Sequence, residues 1–362
     1  MTTINKNANN VYKPTFFRLE SDTDKSAFHA IKHSTSNQLY NTIDIQILEL
    51  LACRNPNLKK ANILNSGMVD AYLREKNKTL ETYGVWVYYP WKNQLVHILD
   101  EEEFIEVRTN RNKLKITKEE QDILRAKVVG VVGLSVGRTI ATTIALERIA
   151  GEIRLADFDE IELSNLNRIH APLSELGLNK TVSTAREIVE IDPFIKVTCY
   201  LDGLTAENMV SFMTAPTKID ILVEECDEIR IKIQSRLKAK ELGIPVIMEA
   251  NDGCIIDIER FDLDDSLPIL HGNIKPEYYS IADRLSVVQK TEVLRNMLDE
   301  TLITERMKES LPYLQDTLVS WPQLYSDIAY GSGLLSIIVR QIFLNQYTKS
   351  VRLNFPIKLD ES

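Results

Sequence analysis

Through the middle of the chain, short unbroken apolar runs alternate with stretches whose apolar residues recur at helical spacing. Residues 127–132 (KVVGVV) form a continuous apolar run, as expected for a strand buried on both faces of a parallel sheet. A glycine-containing turn follows, then a helix of small residues over 139–150. A second strand over 152–156 ends in Asp157-Phe158-Asp159. The spacing predicts a helix over 180–191 that stops at Asp192-Pro193, and a strand over 196–200. A helix over 206–213 leads to a strand over 219–223, which ends at Glu224-Glu225-Cys226-Asp227. The next helix, 229–242, ends at Gly243, and Pro245 opens a strand over 246–249. This rhythm predicts an α/β, Rossmann-like, doubly wound and mostly parallel sheet, with ligands at the carboxyl ends of its strands.

The flanks read differently. Residues 12–103 carry an α+β pattern: Ile43, Ile47, Leu48, Leu50 and Leu51 share one helical face, and Asn55-Pro56 ends that helix. Two β-rich runs, 84–89 (GVWVYY) and 95–99 (LVHIL), predict a hairpin, with Trp86 and Trp91 packing in the core and at the edge. The acidic run Asp100-Glu101-Glu102-Glu103 reads as a solvated turn. Beyond 263 the sequence is irregular at first, then helical over 287–299 and 333–344, with 351–355 as a closing strand. The expected organisation is an α+β N-terminal region over 1–105, an α/β domain over 106–262 and a helical C-terminal extension over 263–362 that completes the fold.

Composition narrows the choice of function. The chain has 362 residues, more than a single hydrophobic core usually serves, and its 44% apolar and 26% charged residues are ordinary for a globular protein. A formal charge of −9 argues against a partner held by phosphate neutralisation, so no nucleic acid is expected. No apolar stretch is long enough to span a bilayer, and the opening MTTINKNANN, a polar tip read as disordered, lacks a secretory pattern. Cys53, Cys199, Cys226 and Cys254 are scattered, with no CxxC pair, which fits reduced thiols in the cytoplasm and supplies no zinc site. The five histidines show no ligand spacing.

The first candidate chemistry is Gly133-Leu134-Ser135-Val136-Gly137, between a buried strand and a helix. Such a turn brings backbone N–H groups and the positive end of a helix dipole to a phosphate. Asp157, at the end of the next strand, suits a ribose hydroxyl in any Rossmann-like protein, so NAD and ATP remain open here. The segment 155–168 (LADFDEIELSNLNR) separates them, because it adds Asp159, Asn165 and Arg168. Lys180 then opens a helix, and Asp227 ends a later strand. Cations that compensate phosphate charge, with carboxylates that hold Mg²⁺, make a polyphosphate site that a nicotinamide does not require.

DFDEIELSNLNR resembles the D-x-D…S-N-L-x-R signature of ThiF/MoeB-type adenylyltransferases and of ubiquitin-activating enzymes. Arg108-Thr109-Asn110-Arg111-Asn112 is similar to the family's R-Y-x-R-Q segment, Gly177 to Lys180 to its G-x-x-K, and Leu222 to Asp227 to its D-x-x-D strand end. The resemblance covers 108–262 and continues in the glycine-containing helix of 327–345. It implies that Asp157 holds the ATP ribose, that Asn165, Arg168 and Lys180 hold the phosphates, and that Asp227 binds Mg²⁺. It also implies a homodimer in which Arg111 reaches the neighbouring subunit's triphosphate. The implied reaction is adenylation of a substrate carboxylate, whether of a peptide, a small amino acid or a ubiquitin-like sulfur carrier.

Three departures from the family pattern stand out. The family's G-x-G-G-x-G is Gly133-Leu134-Ser135-Val136-Gly137-Arg138 here, Glu228 replaces the Asn after the metal-binding Asp, and the paired CxxC motifs are missing. The altered loop supports an alternative, a non-catalytic scaffold that docks a peptide or partner enzyme. An NAD-dependent oxidoreductase is the third reading, and it leaves Asn165, Arg168 and Lys180 without a role. Cys226 and Cys254 are candidates for a thioester only if their thiols are activated; otherwise they are packing residues.

Overall fold

The computed structural model describes residues 10–355 except 35, 251, 253, 299–301 and 315. The polar tip at 1–9 and the last residue of the helix expected over 287–299 therefore lie outside the described residues. The chain divides into two compact units, Met1–Lys118 and Glu119–Ser362.

The first unit holds a mixed four-stranded sheet in the order β1-β3-β4-β2, from β1 (Thr15–Phe17), β2 (Gln38–Asn41), β3 (Val85–Tyr89) and β4 (Gln94–Ile98). β3 and β4 form the expected antiparallel hairpin, and β2 lies parallel to β4. Helix α1 (Asp22–Lys32) is capped by Ser21 and buries Phe28 against Trp86. Trp86 is a core residue, as expected, and stacks on the buried His97 ring at 4.2 Å. Ile43, Ile47, Leu50 and Leu51 of α2 (Ile43–Arg54) pack with Ile63 of α3 (Lys60–Asn65) and Leu73 of α4 (Met68–Glu75). The acidic run at 100–103 departs from the solvated turn expected of it. Asp100 caps α5 (Glu101–Arg108), whose first turn is Glu101, Glu102 and Glu103. Carboxylates at that end meet the positive pole of the helix dipole. In addition, Asp100 pairs with Arg18 at 2.7 Å, and Glu103 accepts the hydroxyls of Tyr72 and Tyr83.

Helix α6 (Lys118–Leu124) stands at the boundary. The second unit is a Rossmann-like α/β fold on a seven-stranded sheet. Its parallel part runs β9-β8-β5-β6-β7: β5 is Val128–Val132, β6 Glu152–Ala156, β7 Lys196–Tyr200, β8 Ile221–Glu224 and β9 Val246–Ala250. Two antiparallel strands, β10 (Ile255–Glu259) and β11 (Val351–Asn354), extend the sheet beyond β9.

Every residue of β5 is buried, which explains its unbroken apolar run. Its alternate faces do different work. Val128 and Val132 join the core formed with Phe212 and Ile233, from α9 (Met209–Thr214) and α10 (Ile229–Glu241). Val131 instead meets the start of α7 (Gly137–Glu147). Helix α8 (Lys180–Ile191) packs beside α7, as does α13 (Tyr325–Phe343) on the α7 side; α11 (Val287–Leu298) and α12 (Glu305–Ser310) precede α13 in the chain. The chain winds from β5 outward to β7 and then returns to β8 on the other side of β5. That reversal opens a crevice at the strand ends, where such sheets bind ligands.

Candidate functional site

The turn after β5 is dictated by a close approach. Gly133 has φ of +83°, and a Cβ there would lie 2.6 Å from the backbone of Glu225 and Cys226. Glycine alone satisfies both constraints. Gly137 serves packing instead: a Cβ there would lie 2.7 Å from the Val131 side chain. α7 starts at Gly137 with no side-chain cap; the Thr139 N–H donates to Val136 O at 3.0 Å, which leaves the first-turn N–H groups of Gly137 and Arg138 to an acceptor.

Asp157 ties this turn to β6. Its Oδ2 accepts the Leu134 N–H at 2.6 Å and its Oδ1 accepts the Asp159 N–H at 2.8 Å. Burial raises the Asp157 carboxyl above its usual range, opposed by Lys180. Each oxygen keeps a second lone pair for a ligand hydroxyl. Lys180, the first residue of α8, is held in place because Asn179 caps that helix. Its buried ammonium donates to Asp159 Oδ2 at 2.8 Å and reaches Ser135 Oγ at 3.4 Å. Ser135, Asp159 and Lys180 therefore form one hydrogen-bonded chain, joined to Asp157 through the Asp159 N–H.

Ser135, Asp157 and Asp159 open on a cavity of about 510 Å³ whose walls also include Gly133, Phe158, Gly203, Thr205, Asp227 and Arg230; neither Lys180 nor Arg168 is part of this wall, and Lys180 joins it through Ser135 and Asp159. It lies at the carboxyl ends of β5, β6 and β8. Phe158, at its edge, is 67% exposed.

Asn165 and Arg168 share the loop after β6. Asn165 is buried and is not part of the cavity wall; its Oδ1 accepts the Glu162 N–H at 3.1 Å in a reciprocal cap of the short turn Leu163–Asn165. It shapes the loop that carries Arg168. Arg168 donates to Ser164 O at 3.2 Å and Asn167 Oδ1 at 3.1 Å, but its buried Nε has no partner. Burial lowers the guanidinium pKa, against the attraction of Asp227 and Glu162. A part-buried cation with an unused donor suits an anionic ligand.

Asp227 is exposed and lines both this cavity and an adjoining one of about 170 Å³. No group of three or more metal-ligating side chains occurs among the described residues. Mg²⁺ typically takes one or two carboxylates and fills its octahedron with waters and phosphate oxygens, so a single carboxylate beside a phosphate site is compatible with it. Arg111 lies in the first unit, exposed in the 3₁₀ turn Asn110–Asn112.

Beneath Asp227 lies a buried ionic network. Glu224 accepts from Lys232 at 3.0 Å and from Arg236, which also donates to Glu259 at 2.7 Å. Burial alone would raise the Glu224 carboxyl, but Lys232 and Arg236 overcome it and hold it down at about 2. Glu224 also accepts the Cys226 N–H at 2.9 Å, which fixes the segment carrying Asp227. Neither candidate cysteine is activated. Burial, with Glu224 adding, pushes the Cys226 thiol well up, and burial with Glu249 and Asp327 pushes Cys254 up to about 12. A reactive thiol needs the opposite shift.

Phe158, Glu225, Arg230 and Glu249 also line these cavities, and no motif pointed to them. The available signal was a carboxylate at the end of each of two adjacent parallel strands. No helix among the described residues is long and apolar enough to cross a membrane.

Residues 109–257 match the model of the ThiF family. Over 278 residues the chain is 39% identical to an uncharacterized protein, MT1398, of Mycobacterium tuberculosis (strain CDC 1551 / Oshkosh); the match covers 77% of this chain and 38% of that one. It is 30% identical over 158 residues to the tRNA threonylcarbamoyladenosine dehydratase of Bacillus subtilis (strain 168), covering 43% of this chain and 61% of that enzyme. The chain thus spans less than two thirds of either relative's length. Among solved structures, TcdA (CsdL) aligns with a TM-score of 0.50 at 17% identity, over 68% of this chain and 97% of that one, a likeness of fold alone.

Proposed function

The chain belongs to the ThiF family through residues 109–257, and from that premise we propose that it is an ATP-dependent adenylyltransferase acting on a substrate carboxylate. The supporting observation is the chain Ser135–Lys180–Asp159, whose Ser135 and Asp159 line the 510 Å³ cavity, together with the unpartnered Nε of Arg168, a cation that feels the charge of Asp227 on the same cavity wall. A nicotinamide site has no use for these cations.

In this reading the nucleoside end of ATP occupies the 510 Å³ cavity, with a ribose hydroxyl donating to Asp157. Lys180, Arg168, Ser135 and the first N–H groups of α7 meet the phosphates. Asp227 would hold Mg²⁺, which supplies charge neutralisation to the triphosphate when bound. A carboxylate oxygen of the substrate attacks the α-phosphorus, an acyl–O–P bond forms, and the bond to pyrophosphate breaks. Catalysis is then positioning and charge stabilisation, with no covalent step by the protein. The substrate carboxylate belongs to a peptide, a small amino acid or a ubiquitin-like carrier, and the working form is a homodimer with Arg111 acting in trans.

The test is pyrophosphate–ATP exchange with the full chain and a panel of carboxylic acids. Acid-dependent exchange, lost by about 10²–10³-fold in Asp227→Ala, is expected. Tight ATP binding with no exchange for any acid or carrier protein would point instead to the docking scaffold that the altered glycine loop allows.

A further inference from the structure

The second cavity, of about 170 Å³, shares Ser135, Glu225 and Asp227 with the first. One side of it is apolar, with Met297, Ile303, Met307 and Trp321. Glu249, at the end of β9, also lines it. This side chain is 3% exposed, yet neither carboxylate oxygen has a hydrogen-bond partner. Leaving such a group buried and unsatisfied opposes folding. The fold makes room for it all the same: a Cβ at Gly331 of α13 would lie 2.4 Å from the Glu249 carboxyl.

The neighbouring groups do not relieve Glu249. Glu225 is buried beside it and accepts its backbone N–H at 2.8 Å, so the two acids share no proton-bridged contact. Lys232, the one basic side chain on the cavity wall among the described residues, is engaged with Glu224 at 3.0 Å. Asp252 takes the backbone N–H and, at 2.7 Å, the hydroxyl of Thr304. Burial, with Asp327 adding, pushes the Glu249 carboxyl up to about 8; a cation beside it acts in the opposite sense.

We propose that this cavity binds a small amino acid with an apolar side chain, and that Glu249 accepts its ammonium group. That this acid is the one adenylated rests on the reading above; the binding does not. An ammonium brings three donors and a charge to two acceptor oxygens that have neither. The apolar side takes the side chain. A cavity of about 150 Å³ holds benzene, so one of this size suits a single side chain. The Ser135 and Asp227 edge, common to both cavities, is where the acid's carboxylate meets the nucleotide.

Calorimetric titration of the full chain with matched acids tests this: L-leucine against 4-methylpentanoate, L-phenylalanine against 3-phenylpropanoate, then the remaining proteinogenic amino acids against their des-amino analogues. At least one amino acid is expected to bind about 10–100-fold more tightly than its des-amino partner, and Glu249→Gln to remove that difference. Gly331→Ala, which displaces the carboxyl, should act likewise, while both variants keep wild-type ATP affinity within about twofold as the control for folding. Equal binding of the paired acids, no binding by any amino acid, or unaltered selectivity in both variants would overturn the proposal. Amine-selective binding without pyrophosphate exchange would keep this site and remove the adenylation reading instead.

Discussion

Lys180 and Arg168 are committed to different degrees. Lys180 already holds Asp159, whereas Arg168, attracted by Asp227, keeps an unused Nε. Each substitution to alanine should therefore weaken ATP by about 10–100-fold, the cost of a lost charge-assisted hydrogen bond. Phe158→Ala should weaken it by about 1–3 kcal/mol if the exposed ring stacks on the base, and titrations with ATP and with inorganic triphosphate would separate the two effects. Glu249 carries a pH signature of its own. Its folded value, about 8, lies above the ordinary 4.5, so ionisation above pH 4.5 opposes folding, and the penalty is complete above pH 8. Glu249→Gln should therefore raise the thermal midpoint of the ligand-free protein at pH 8.5, with a gain that shrinks toward pH 4.5. Lys180 and Asp157 were legible because each adjoins a strand end or helix start in the sequence. Glu249 was not, since a strand-end carboxylate reads the same whether solvated or buried. What buries it comes from distant segments, Gly331 of α13 among them. Asn165 shows the converse, a motif residue whose visible work is capping its own loop.

At the scale of elements, the turn from β5 into α7 is the part that tolerates least. An alanine at Gly133 would carry a positive φ and overlap the backbone that follows β8. Backbone strain alone costs about 1–3 kcal/mol, so Gly133→Ala should lower the urea midpoint and abolish ATP binding together. Gly177 is a useful contrast, since it has φ of +81° but open space around its Cβ position; Gly177→Ala should bring the strain alone. Strand β5 was legible because burial on both faces demands an unbroken apolar run, and α8 because Asp192-Pro193 marks its end. β2 was not, because its four residues (QLYN) are all exposed and carry no periodic signal. The acidic start of α5 was misread for a related reason: a run of carboxylates looks solvated until a helix N-terminus is there to receive it.

For the whole molecule, stability and function meet in the network under Asp227. Glu224 is held at about 2 against an ordinary 4.5, so its contribution is present above pH 4.5 and is lost as pH falls toward 2. Removing the carboxylate strands the buried Lys232 and leaves Arg236 only Glu259, so Glu224→Ala should cost about 3–5 kcal/mol at pH 7 in denaturant unfolding, a difference that narrows in acid. The proposed dimer has an equally direct signature. Arg111→Ala and Asp227→Ala should each be inactive, yet mixing them should restore about a quarter of wild-type exchange, because half the dimers then hold one complete site. The fold-level reading was accessible from alternation alone, whereas the choice of nucleotide rests on a handful of side chains around one cavity. Calorimetry with Mg-ATP and, separately, NAD⁺ tests that choice most directly. Saturable ATP binding that weakens at least about tenfold in Arg168→Ala and Lys180→Ala, with no NAD⁺ binding, is the expected result. NAD⁺ binding, or ATP binding indifferent to both cations, would contradict the account.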